Sequence, residues 1–199
     1  MEIRSFSEER AMPRVLENTR TIEGYSTLFE KESRVMFDPQ KKRYFVEIIK
    51  RGAVTENDLK DWDIKALAEH DKSRLLARSF NGSGTLQLSV DEYGVKYRFD
   101  APNTVEGDNA VEMISRRDIF GSSFAYISDE KADVKYYKRE DGMLIREVNK
   151  IRRMFDVSVV TDPAYFGTDV CVRSLDTYFE SPANEDWKKD VEELRSLTN

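Results

Sequence analysis

Between residues 85 and 99 the chain alternates apolar and polar positions. Leu86, Leu88 and Val90 share one side, and Val95, Tyr97 and Phe99 repeat the pattern after Asp91-Glu92-Tyr93-Gly94. A period of two puts successive side chains on opposite faces of a strand, and the polar, Gly-ending break predicts a β-hairpin. Similar strand patterns occur at 21–30, 43–50, 120–127, 134–138, 144–150 and 155–160, with Glu140-Asp141-Gly142 closing another hairpin. Helical signals are fewer. Asn103-Thr104-Val105-Glu106 resembles an N-cap with an acidic residue three positions on, opening a helix to about Arg117. Val111, Met113 and Ile114 would form its buried face, and Arg116 and Arg117 suit its C-terminal end. Further helices are predicted at 55–65 and 186–197. The fold class is therefore mainly β with a few helices, an antiparallel barrel or sandwich, in one domain. After Ser174 the pattern changes. Trp187, Val191, Leu194 and Leu197 recur at helical spacing, so 174–199 reads as a docked helix, a partner-binding helix or a loosely held tail.

Composition narrows the classes. The 199 residues are 35% charged and 39% hydrophobic, with a net charge of −6, which argues against a nucleic-acid surface. The basic clusters Lys41-Lys42-Arg43 and Arg152-Arg153 read as solvated strand ends. No apolar run approaches the roughly 20 residues that cross a bilayer, and the charged N-terminus lacks the apolar core of a secretory signal. The single cysteine, Cys171, excludes an internal disulfide and reads as a small core residue in Asp-Val-Cys-Val-Arg. One His and one Cys make a zinc site of nitrogen and sulfur ligands unfavourable. The expectation is a soluble, intracellular domain with neither cofactor nor metal.

One histidine, His70, restricts any imidazole chemistry to one position. A lone histidine is more often structural than catalytic, so a partner nucleophile has to be found. The segment Gly121-Ser122-Ser123-Phe124-Ala125-Tyr126 offers two hydroxyls, which strand alternation separates. Ser123 shares its face with small Gly121 and Ala125, whereas Ser122 lies with Phe120, Phe124 and Tyr126. A nucleophile needs room above it for a carbonyl and an imidazole, which selects Ser123. The Gly-x-Ser-x-Ala spacing resembles a nucleophile elbow, but a helix precedes it and a strand follows, so the α/β-hydrolase context is absent.

With these two positions in hand, the order of segments resembles the prohead proteases of tailed bacteriophages, capsid-maturation serine proteases related in fold to the herpesvirus assemblins. Four blocks carry the likeness: Thr21-Ile22-Glu23-Gly24-Tyr25 with Phe29; Ala68-Glu69-His70-Asp71 followed by Leu76-Ala77-Arg78-Ser79 and Gly84-Thr85-Leu86; Gly121-Ser122-Ser123-Phe124; and Asp156-Val157-Ser158-Val159-Val160-Thr161-Asp162-Pro163-Ala164-Tyr165. Ser122 stands where the family more often has Met, and Asp156 where Glu is more usual.

The resemblance implies an assemblin-like antiparallel β-barrel surrounded by helices, with a protease domain over 1–173 (core about 20–172) and a tail over 174–199. It implies a serine endopeptidase acting on the major capsid protein and its scaffold segment, and on itself, with homodimer formation among its relatives. Its place would be inside the assembling procapsid in the cytoplasm of the bacterial host. Ser123 would be the nucleophile and His70 the general base. Assemblin-type enzymes orient their imidazole with a second histidine, which this chain lacks, so a carboxylate replaces it or the pair works alone. Asp156, on one strand face with Ser158 and Val160, is the leading third member. A salt bridge from Asp156 to Arg152 or Arg153 is the structural alternative. Asp71 is the rival, and Asp162 beside Pro163 reads as turn chemistry. Arg116, Arg117 and Arg146 are candidates, beside backbone N–H groups, for an oxyanion site. The competing functions are a non-catalytic phage scaffolding or structural protein with the same fold, and a β-barrel ligand-binding module.

Overall fold

The computed structural model describes residues 2–6, 12–33 and 35–161, where the alternating segments become strands of three sheets. The first has the order β1 (Glu2–Phe6), β11 (Gly121–Ile127), β14 (Arg153–Val160), β6 (Asp63–Ala68), β7 (Asp71–Phe80), β8 (Ser83–Gly84). The second runs β2 (Arg14–Val15), β3 (Thr21–Leu28), β10 (Gly94–Asp100), β9 (Gln87–Val90). The third runs β12 (Val134–Lys138), β13 (Leu144–Val148), β5 (Arg43–Ile49), β4 (Met36–Asp38). Two helices complete the described residues, α1 (Glu56–Asp61) and α2 (Val105–Ser115).

The mainly β class is observed, but no closed barrel is found among the described residues, where the strand orders form three open sheets. Nor is the pairing wholly antiparallel: β14 runs parallel to β6, and β13 parallel to β5. Parallel neighbours cannot be joined by a tight hairpin, so β14 comes to β6 from far along the chain. The expected C-terminal helix at 186–197, Cys171 and Asp162 lie outside the described residues.

One buried cluster joins the inner faces of the first two sheets. Ile22, Val95, Tyr97 and Phe99 meet Ile64, Ala66, Phe124, Tyr126, Val157 and Val159 there. The Phe124 and Tyr126 rings stack with centroids 5.1 Å apart. Each large side chain buried this way contributes roughly 1.5–3 kcal/mol. Because these residues occupy alternate positions, the opposite faces of β11, β14 and β6 are free for other chemistry.

The helices differ in detail from the pattern. Thr104 caps α2, one residue later than Asn103, by accepting the Gly107 N–H at 3.2 Å, and the helix stops before Arg117, which is left-handed at φ 66°. Its buried stripe is Gly107, Ala110 and Ile114, leaving Met113 41% exposed. A Cβ at Gly107 would lie 2.0 Å from the Pro102 carbonyl oxygen, so the close approach requires glycine. Helix α1 ends at Asp61 instead of 65, despite a complete Thr55–Asp58 capping box. Beyond it, Asp63 and Lys65 alternate with buried Ile64 and Ala66, and pairing to β7 and β14 overrides the helix propensity of Lys-Ala-Leu-Ala.

Two polar contacts fix the sheets around the site. Asp63 takes both Arg78 Nε (2.7 Å) and Nη2 (2.9 Å), with Lys65 at 3.1 Å, and these cations hold its carboxyl at about 2. Arg146 on β13 is 2% exposed and donates to Glu47, Glu130, Tyr126 Oη (2.9 Å) and Tyr136 Oη (3.2 Å), tying β5, β11, β12 and β13 together.

Replacing Arg146 by Met would take its guanidinium away from the buried Glu47 carboxylate, so Arg146→Met should destabilise the protein by about 3–5 kcal/mol. Denaturant unfolding would measure this, and Glu47→Gln in the same chain should restore part of the loss. The depressed Asp63 pKa means that its contribution is present at neutral pH and is lost as pH falls from about 4 towards 2. Thermal midpoints of wild type and Asp63→Asn should therefore converge over that interval.

Candidate active site

The hairpin between β6 and β7 pairs Ala68 with Asp71, leaving a loop of Glu69 and His70. Both have φ 56°, the left-handed region that two-residue hairpin loops require and that Asn-Gly usually supplies. Holding a residue other than glycine there costs of the order of 1–3 kcal/mol, which surrounding contacts have to offset. They come from β14. The Glu69 N–H donates to Val159 O at 3.0 Å, and Glu69 Oε1 accepts the Thr161 N–H at 2.7 Å. The tip of the hairpin is thereby fastened to the end of β14, with His70 on it.

Register sets the other side chains. β14 lies between β11 and β6, with Ser158 directly opposite Ser123 and Asp156 opposite Ala125. Cross-strand partners share a face, so Ser123, Ser158 and Asp156 all project on the side away from Phe124 and Val157. His70 Nδ1 lies 2.6 Å from Asp156 Oδ1, and His70 Nε2 lies 2.6 Å from Ser123 Oγ. Ser158 Oγ stands 2.9 Å from Asp156 Oδ1 and 3.2 Å from His70 Nδ1. Ser123 is fully buried, and Asp156 and Ser158 nearly so.

The donor inventory fixes the tautomer. An ionised carboxylate can only accept, so Nδ1 carries the proton to Asp156 and Nε2 presents its lone pair to the Ser123 hydroxyl. A buried carboxylate needs such partners, because an unpaired charge there is costly. The arrangement can take a proton from Ser123 and hold the resulting imidazolium against a negative group.

The structure brings together His70, Ser123 and Asp156, and separates them from the alternatives. Asp71 is exposed and accepts from the Ser73 hydroxyl (2.6 Å) and backbone N–H (2.8 Å), which hold its carboxyl below the usual range. Asp156 is not an ion pair of the neighbouring arginines: Arg152 pairs with Asp133, and Arg153 stacks over the Phe155 ring at 5.3 Å. Phe155 does not point into the core with Val157 and Val159. A bulge opposite Ala125 and Tyr126 leaves it half-buried and turns Met154 inward instead. Arg146 is engaged in its own network and exposed Arg116 pairs with Asp118 at 2.8 Å. Ser122 meets the buried Tyr97 hydroxyl at 2.9 Å on the core side, where burial pushes the phenol pKa up.

Two contributors escape a reading of single motifs. Ser158 shares a face with Asp156 by alternation, a signal that was available, but the hydroxyl pointed to no role. The Glu69 clamp depends on β14 lying beside β6, which no local pattern encodes. Among the described residues no group of His, Cys, Asp and Glu could hold a metal ion. No helix there is long and apolar enough to cross a membrane.

No curated protein and no solved structure matches the chain. One family model does, that of the caudovirus prohead serine proteases, over residues 8–180, a span that takes in the hairpin tip and both strands of the site. By that match the chain belongs to the caudovirus prohead serine protease family.

Proposed function

We propose that this chain is an active endopeptidase that cleaves the major capsid protein and its scaffold segment, and itself, inside the assembling procapsid. Ser123 is the nucleophile, His70 the general base and then acid, and Asp156 the group that orients and stabilises the imidazole. The observation that carries this reading is the single imidazole within 2.6 Å of both a serine hydroxyl and a buried carboxylate.

The chemistry follows from the tautomer. Ser123 Oγ forms a bond to the scissile carbonyl carbon while its proton passes to His70 Nε2. The carbonyl π electrons move to oxygen, and the imidazolium is held through Nδ1–H against Asp156. Collapse expels the amine, which takes the proton from Nε2, and leaves an acyl-Ser123 ester. Water, deprotonated by the same nitrogen, then attacks the ester carbon; the bond from that carbon to Ser123 Oγ breaks, the acyl product leaves as its acid, and Nε2 returns the proton to Ser123 Oγ. Burial strengthens each electrostatic contact, because little water competes for the donors.

Co-expression with the capsid protein of the same phage, followed by intact-mass measurement, tests the proposal. Wild type should yield shortened capsid chains, and Ser123→Ala and His70→Gln should yield none, with Ser123→Ala keeping the wild-type melting temperature. Processing that persists in Ser123→Ala would end the assignment. Asp156→Asn keeps the shape but favours the wrong tautomer, and should lower kcat by as much as about 10⁴. Asp71→Asn should leave the rate near wild type, as a time course of capsid cleavage would show.

A further inference from the structure

We propose that Ser158 is a positioning residue of this site, a fourth member that holds the Asp156 carboxylate and the imidazole in one geometry. This rests on the reading of His70, Ser123 and Asp156 given above and adds a residue to it. Ser158 is 2% exposed, and the hydrogen bonds of its hydroxyl run to Asp156 Oδ1 at 2.9 Å and His70 Nδ1 at 3.2 Å. Neither partner is backbone, so the hydroxyl does nothing for the β14 ladder itself.

The geometry assigns the roles of its proton and lone pairs. Nδ1 already carries a proton directed at Asp156, so it cannot accept from Ser158. Ser158 Oγ–H therefore donates to Asp156 Oδ1, and a Ser158 lone pair faces the Nδ1–H as a second, longer acceptor. Oδ1 then receives two donors from two directions, which fixes the carboxylate plane. Without Ser158, His70 alone would hold that oxygen, at a site where Asp156 is 6% exposed and water is a poor substitute. When the imidazolium forms, its Nδ1–H has two acceptors waiting, one of them charged.

Register makes this contact a consequence of the strands. Ser158 is paired with Ser123 across β11 and β14, and lies two positions from Asp156 on the same face. One strand thus delivers both the carboxylate and the hydroxyl that braces it.

The experiment uses the full chain and a serine-directed fluorophosphonate, whose labelling rate reports how well Ser123 is activated. Ser158→Ala should label about 10- to 100-fold more slowly, the range for losing a hydrogen bond to a charged group. The loss should appear in the limiting rate at saturating phosphonate, with its half-saturation concentration unchanged. Ser158→Thr keeps the hydroxyl on a strand-favouring residue and should recover most of the rate. Because the chain has one histidine, its low-field Nδ1–H proton resonance is unambiguous, and it should move in Ser158→Ala and return in Ser158→Thr. Wild-type labelling with an unmoved resonance in Ser158→Ala would overturn this proposal alone, as would a Thr variant as slow as the Ala variant. A wild-type chain that the phosphonate does not label, or equal labelling of Ser123→Ala, would overturn the parent reading and this one with it.

Discussion

The site depends on how β14 is held: antiparallel to β11 on one side and parallel to β6 on the other. The first pairing puts Ser158 opposite Ser123 and Asp156 opposite Ala125. The second carries the β6–β7 hairpin tip alongside the end of the same strand. A slip of one residue in either register would turn Asp156 and Ser158 to the core face and Val157 to the site. The apolar alternation that fills the core therefore also specifies the polar face, since Phe124, Val157, Val159 and Ala66 can be buried in one register only.

Charge supplies the second constraint. A buried carboxylate needs donors, and Asp156 finds two in His70 and Ser158. Elsewhere the molecule solves the same problem differently. Arg146 satisfies the buried Glu47 with a guanidinium, and Arg14 with Lys96 and Arg98 surrounds Glu23. Permanent cations there give static ion pairs. A histidine beside Asp156 gives, among the described residues, a pair whose cation can appear and disappear with a single proton.

Much of this was legible in the chain. Alternation located the hairpin of β9 and β10, the strand β11 and its two faces, and so picked Ser123 over Ser122. The resemblance implied a site holding His70 and Ser123 with Asp156 as the leading third member, and His70 lies 2.6 Å from each of the other two. Local patterns failed where distant pairing decides. Lys65, Ala66, Leu67 and Ala68 carry helix propensity and are strand only because β7 and β14 flank them. Met113 sits beside buried Ile114 yet faces solvent, since the stripe that packs begins at Gly107. The Phe155 bulge and the parallel pairings have no signature within a short window, and the barrel that the resemblance implied is not found among the described residues.

The left-handed loop at Glu69 and His70 has a consequence for when the imidazole is available. Two residues that resist this conformation adopt it only while β6 and β7 are zipped and Val159 and Thr161 grip the loop. Local opening of that hairpin releases the strain and separates the imidazole from Ser123 in the same motion. The contact between imidazole and hydroxyl is thus a late product of folding: a nascent or partly opened chain carries every group of the site without yet bringing them together.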